Sequence, residues 1–260
     1  YWHLFKTFFR NSLIRMMENR FDFLFRFFPT TLTLFLNVFS VSFIFSQVNE
    51  IAGWQKYQLF LLMGTYYIVW GIFFGLFIQN LSRINRYVNR GELDLVLTKP
   101  VDSQFYSSFR MAIDFGEAAT LLTGIYLVLY SLGNLNIHPN LMNYIAYLVL
   151  IINGVILAYS VWFISMTLSF WIGRIPELHE AFLSIYSLNK YPIDIYQGFL
   201  KTILIYFLPI AVMVTFPTKV LLGTLSFSFA IWSFFVGAAV LYLSHLFWNF
   251  ALKHYSSASS

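Results

Sequence analysis

The side chains able to do acid, base or metal chemistry are few and scattered. Eleven Asp and Glu and five His stand among 260 residues. The histidines, His3, His138, His179, His245 and His254, form no pair at ligand-like spacing. Leu178-His179-Glu180 begins like a metallopeptidase motif but has no second histidine one helical turn on. His245, in an apolar stretch, reads as a packed or interfacial residue. With no cysteine, thiolate nucleophiles, disulfides and Cys-based zinc sites drop out. No catalytic residue and no metal ligand set is therefore assigned, and a membrane-embedded enzyme lacks the convergent groups it needs. None of the 13 glycines precedes a lysine, so the chain has no G-x-x-x-x-G-K-[ST] loop with which to cradle ATP phosphates.

Two pairs of carboxylates stand one helical turn apart. Asp114 and Glu117 form a pair of the kind that can relay protons or bind a cation, but close to Arg110 they read first as caps of a helix start at an interface, where acidic groups favour the positive end of the helix dipole. Glu177 and Glu180 depend on their setting. If residues 174–191 cross a membrane, they become intramembrane carboxylates able to line a path or bind a cationic substrate.

The elements that must position these groups are membrane helices. The chain is 59% hydrophobic and 21% aromatic, with 10% charged residues and a mean hydropathy of +0.69, outside the soluble globular range. A crossing helix needs roughly 20 apolar residues. Uncharged runs of that kind occupy Phe27–Asn49, Tyr57–Ser82, Leu141–Trp171 and Phe227–Leu252, with a further crossing near Phe109–Leu132. Pro29 falls near the start of the first, where its missing N–H costs little. Gly71 and Gly75 give the second a small-xxx-small spacing. SLGNLNIHPN, Ser131–Asn140, supplies the turn between crossings three and four. Crossing five is either the polar segment Arg174–Tyr191 or Thr202–Phe216, which Pro209 interrupts.

The net charge of +5 and pI near 9.3 need no nucleic acid to explain them, because the basic residues flank apolar spans. With the N-terminus inside, twelve of the sixteen Lys and Arg fall on the cytoplasmic side if Arg174–Tyr191 crosses. The others are Lys56, Lys190, Lys201 and Lys219. If Thr202–Phe216 crosses instead, Lys190 and Lys201 move inside, and the positive-inside rule is again obeyed. At the N-terminus, Trp2, Phe5, Phe9, Leu13 and Met16 share one narrow sector at 100° per residue, with Lys6 and Arg10 flanking it. This predicts an interfacial amphipathic helix over residues 1–26, read as mature sequence and not as a signal peptide.

The stretch RGELDLVLTKPVDSQFY, Arg90–Tyr106, carries four ionised side chains before Val101 and falls in the loop after crossing two. Arg83, Arg86 and Arg90 recur at helical spacing, Gly91 breaks the run, Leu93, Leu95 and Leu97 alternate with Asp94, and Pro100 closes it.

RGELDLVLTKPV resembles the sequence after the second crossing of ABC type-2 transporter permeases, in the bacterial subfamily where a Gly-Glu-Leu-Asp core runs into Lys- or Arg-Pro-Val. A second match is YPIDIYQGFLKTILIYFLPIAVMVTFPTKVLLG, Tyr191–Gly223, with Tyr191, Pro192, Pro209 and Pro217 as the subfamily has them. FWIGRIPEL adds weaker support. Gln197 departs from the pattern, which has proline there.

The resemblance covers essentially the whole chain and implies an all-α polytopic membrane protein. It would have six transmembrane helices, an interfacial elbow helix (1–26), a cytoplasmic coupling segment (83–106) and an outer re-entrant region (191–223). Arg174–Tyr191 would then be crossing five. The protein would lie in the cytoplasmic (inner) membrane with both termini cytoplasmic. It would pair with a second permease, identical or homologous, and with two ABC ATPase subunits, which would hold the ATP and Mg; this chain itself would bind no cofactor. Export of an amphipathic or hydrophobic substrate by alternating access is implied.

Within Arg90–Pro100, Leu93, Leu95 and Leu97 are the expected docking residues, Glu92, Asp94 and Lys99 the rim or capping charges, and Arg90, Gly91 and Pro100 the bounds. For any one leucine, anchoring the loop to its own domain is an equal alternative. Phe35, Phe39, Phe43, Tyr66, Tyr67, Trp70, Phe73 and Phe74 read first as core or lipid-facing aromatics, and would permit an aromatic or amphipathic cargo. The rival functions are an ion-coupled secondary transporter or channel using Glu177 and Glu180, and a purely structural membrane protein.

Overall fold

The computed structural model describes residues 1–18, 20–110, 113–173 and 176–255, most of them helical. Helix α1 (Trp2–Glu18) leads to α2 (Arg20–Ile44). Pro29 therefore sits well inside a helix and not at its start, where it removes one backbone hydrogen bond from the α2 ladder.

A two-residue hairpin follows, β1 (Glu50–Ile51) antiparallel to β2 (Trp54–Gln55), an element absent from the all-α expectation. Its turn residues Ala52 and Gly53 have φ of +50° and +80°, the left-handed pair of a tight I′ connection. Trp54 is buried by it.

Helix α3 (Lys56–Phe73) continues through a π turn (Phe74–Ile78) into α4 (Gln79–Leu81). Three short helices then fold back on the bundle: α5 (Ile84–Asn89), α6 (Leu93–Leu97) and α7 (Ser103–Phe109). Crossing three starts later than expected. The chain breaks after Phe109, makes a 3-10 turn at Phe115–Glu117 and enters α8 (Ala118–Leu135). The break is fixed by Asp114, whose backbone N–H donates to the Gly75 carbonyl in the π turn at 2.8 Å and whose carboxylate accepts from Gln79 at 2.5 Å. Asp114 also caps the 3-10 turn, accepting from Gly116 N–H at 2.9 Å, while Glu117 makes no capping bond.

After α9 (Leu141–Thr167) and α10 (Ser169–Ile172), the chain forms α11 (Pro176–Ser187), extended by a 3-10 turn to Lys190. Next come α12 (Gly198–Thr202), a second π turn (Ile203–Phe207), α13 (Ile210–Met213), α14 (Thr215–Leu221) and α15 (Phe227–Lys253). Among the described residues, five helical stretches are long and apolar enough to cross a membrane: Phe27–Ile44, Lys56–Asn89, Phe115–Leu135, Leu141–Ile172 and Phe227–Lys253.

The two readings of crossing five now separate. Thr202–Phe216 is not one helix, being interrupted at Leu208 and Pro209. Residues 198–221 leave and return to one place, because Lys201 and Lys219 both reach the same carboxylate, Asp194, at 3.1 and 2.6 Å. Upstream, Gly173 accepts a hydrogen bond from Asn85 beyond one end of α3, whereas Asp194 accepts one from Trp54 at the other end. Residues 176–193 therefore run the length of the bundle, with α11 as their helical part. At about 1.5 Å per residue, the helical stretch from Pro176 to Lys190 rises roughly 22 Å, shorter than the ~30 Å hydrocarbon layer.

The core is aromatic. Phe182 and Tyr186 of α11 pack against Phe73 and Trp70 of α3, and Phe182 meets Trp162 of α9 edge-on with centroids 4.3 Å apart. Glycines set the closest helix approaches. On the α3 face toward α8, Gly64 meets Gly124 and Gly71 meets Leu121, so the small-residue stripe is wider than the Gly71–Gly75 pair. Gly154 lets α9 approach the Met213 backbone. Gly237 of α15 leaves room for Asn153, whose amide donates to the Ser233 carbonyl at 2.8 Å.

Candidate functional site

The segment after α4 is built from local signals. Arg90 ends α5, and Gly91 at φ +69° turns the chain where a side chain would be strained. Asp102 caps α7, its carboxylate accepting from Phe105 N–H at 2.7 Å. Between these bounds, Leu93–Leu97 is a helical turn, so residues two apart do not share a face.

The docking set divides as a result. Leu93 is fully buried, together with Val96, in the protein's own core; Leu95 is 67% exposed and Leu97 41% exposed. Lys99, Pro100 and Arg90 are exposed beside them. Glu92 pairs with Arg86 at 3.3 Å across the Gly91 turn, closing the loop on itself. Asp94 lies in the first turn of α6.

Beneath this tip, α7 is held by a polar network that sequence reasoning missed. Gln104 bonds His245 Nδ1 at 2.8 Å and donates to the Tyr159 hydroxyl at 3.2 Å and to Ser244 at 3.4 Å. Ser108 shares a 2.8 Å bond with the same Tyr159 hydroxyl, and Trp248 donates to Ser103 at 2.9 Å. Asn249 reaches the other ring nitrogen of His245 at 2.9 Å. These bonds tie α7 to α9 and α15. The available sequence signal is Ser103, Gln104, Ser107 and Ser108 on one short segment, and His245 in an otherwise apolar run. An apolar cavity of about 590 Å³ lies alongside, walled by Phe105, Phe109, Val155, Ile156, Leu241 and Tyr242.

The N-terminal helix lies on the same platform. Phe5 packs edge-on against Phe109, Phe8 against Tyr106 and Phe9 against Phe115, and Ser12 accepts from Ile113 N–H at 2.9 Å. Trp2 of the predicted apolar sector is exposed.

At the opposite end of the bundle, Asp194 gathers three donors: Lys219 at 2.6 Å, Lys201 at 3.1 Å and the Trp54 indole at 3.2 Å. Burial works to raise its pKa, but Lys219, with Lys201 and Trp54, outweighs burial and holds the carboxyl below the usual carboxylate range. Pro192, Pro209 and Pro217 are buried, and Tyr191 is exposed. Gln197 has φ −122°, which a proline ring would not adopt. Glu180 is exposed on α11, while the side chain of Glu177, like residue Arg174, lies outside the described residues. Phe35, Phe39 and Phe43 form an exposed stripe on α2, whereas Tyr66, Tyr67 and Phe73 are buried.

Residues 31–259 match the family model described as ABC-2 family transporter protein. No curated protein and no solved structure matches the chain. The match runs from α2 to beyond the end of α15, taking in both the α5–α7 tip and the Asp194 hairpin, and the chain belongs to the ABC-2 transporter family.

Proposed function

We propose that this protein is the permease subunit of an ATP-driven exporter. In this reading it carries an amphipathic or hydrophobic substrate by alternating access, driven by two separate ATPase subunits. As a member of its family, the chain is a multi-pass membrane subunit that partners with ABC ATPases and is not itself the ATPase. The α5–α7 tip is the contact with the motor, and a second permease, identical or homologous, completes the pathway. The tip and both termini face the cytoplasm, residues 174–191 form a short fifth crossing, and 191–223 is a re-entrant hairpin at the outer surface.

One observation carries this reading. Leu95 and Leu97 stand exposed at the end of the bundle away from Trp54 and Asp194, on a turn whose Leu93 and Val96 are locked inside. Exposed leucines on an anchored, basic-rimmed projection fit an apolar docking site. Such a contact drives the membrane equilibrium only through a difference in affinity between two states. Lys201 and Lys219, two of the few basic residues assigned to the outer side, are paired with Asp194, which lowers the unpaired positive charge there.

The test is co-purification. A distinct ATPase should accompany the chain from the membrane, and Leu95→Asp combined with Leu97→Asp should remove it while insertion and melting stay unchanged. Retention of an active complex by that variant would overturn the docking assignment.

A further inference from the structure

A second cavity, of about 330 Å³, lies away from the α5–α7 tip, between α2, α3, the start of α8 and the end of the α11 segment. Its walls carry Tyr66, Tyr67 and Trp70 of α3, with Asn37 and Thr33 of α2. Two opposite charges also face it: Glu117 at the start of α8, and Lys190 at the end of the 3-10 turn after α11. Neither forms an ion pair among the described residues. Lys190 Nζ lies 5.9 Å from the centre of the Tyr66 ring. Thr120 and Trp70 face the Glu117 carboxyl, but its Oε2 is buried with no hydrogen-bond partner.

This arrangement is costly for the protein alone. An unpartnered carboxyl oxygen within the bundle loses hydration and gains nothing in exchange, and ionisable groups at membrane depth are retained where they meet something. Asp114, three residues earlier, shows the contrast: its carboxylate has Gln79 and Gly116 as donors. Glu117 has Thr120 and Trp70 beside its carboxyl but leaves Oε2 without a donor, because its side chain lines the cavity rather than capping its own helix.

The geometry points to a binding site for a small zwitterionic group, with an ammonium that donates to Glu117 and an anionic phosphate or carboxylate that meets Lys190. Tyr66, which underlies Lys190, and Trp70, which faces Glu117, are four residues apart on α3. The two charges are thus set off by about one helical turn, roughly 6 Å along the axis. That offset suits an aminoethyl phosphate unit or a short amino acid, and the aromatic wall offers ring faces to its ammonium. A free zwitterion and the headgroup of an aminophospholipid share this chemistry. Helix α2, which closes one side, carries its exposed Phe35, Phe39 and Phe43 toward whatever surrounds the bundle. The site is separate from the motor contact, and the inference holds whether or not Leu95 and Leu97 dock an ATPase.

The experiment uses the full chain, purified without an ATPase in a neutral maltoside detergent. Native mass spectrometry would compare binding of dioleoyl phosphatidylethanolamine with that of dioleoyl phosphatidylglycerol. Calorimetry would titrate free phosphoethanolamine. The expected result is a preference for the ethanolamine lipid, the free zwitterion or both, and the pattern identifies the source. Glu117→Gln should weaken that binding about tenfold, since a charge-assisted bond becomes a neutral one. Lys190→Gln should weaken binding of the phosphate-bearing probes, and both variants should melt like the parent. Equal binding of the two lipids together with no uptake of free phosphoethanolamine would overturn the proposal. So would unchanged affinity in a folded Glu117→Gln variant.

Discussion

Gly64 and Gly124 face each other so closely that a Cβ added to the first would sit 2.8 Å from the second's carbonyl oxygen, and the converse distance is 2.7 Å. The obstructing atoms are backbone, which cannot rotate away. Gly64→Ala or Gly124→Ala should therefore force α3 and α8 apart and cost about 1–3 kcal/mol, as overpacking does elsewhere. Gly133→Ala, on the same α8 helix but with nothing within 4 Å of the added carbon, is the control and should melt no lower than the parent. Fluorescence-detected melting of the detergent-purified chain compares them.

Leu93 and Leu95 should respond oppositely to truncation. Leu93→Ala empties a fully buried site and should lower stability by about 2–5 kcal/mol. Leu95→Ala should leave the melt within about 0.5 kcal/mol of the parent, as exposed substitutions do. Equal losses at the two positions would show that the tip packs differently from the arrangement described.

Asp194 sets an acid limit. Its pKa is lowered in the folded protein, so its contribution is complete at neutral pH, above the ordinary carboxylate value near ~4, and is lost as pH falls through the lower folded value. Melting temperature should include a step below about pH 4 that Asp194→Asn removes. At neutral pH the same substitution should cost about 1 kcal/mol, because Lys201 and Lys219 remain partly solvated.

Ala52 occupies a left-handed turn position that asparagine tolerates better. Ala52→Asn should raise stability by up to about 1 kcal/mol without altering the Trp54 contact to Asp194, checked by melting the single variant and its Asp194→Asn double.

The sequence makes the long helices legible, because hydropathy over a crossing's length is a property of each segment alone. Tyr57–Ser82 and Leu141–Trp171 match α3–α4 and α9–α10 closely for that reason. It is silent where a partner far along the chain decides the outcome. Crossing three moves from Phe109 to Ala118 because Gly75 and Gln79 hold Asp114. Gly64 looked ordinary until Gly124, sixty positions away, came to rest on it. The leucines at 93, 95 and 97 share a composition and a spacing, and only packing separates the buried one from the exposed pair. Glu117 and Lys190 are remote in sequence and meet at one cavity enclosed by α2, α3, the start of α8 and the end of the α11 segment.

The bonds around α7 also have a mechanical meaning. Gln104, Ser103 and Ser108 fasten this short helix to α9 and α15, Phe109 presses on Phe77 of the π turn, and α1 rides on the same rings. A load applied at the neighbouring tip cannot be taken up by one helix alone. Through the bonds and rings of α7 it would be shared among α3, α9 and α15.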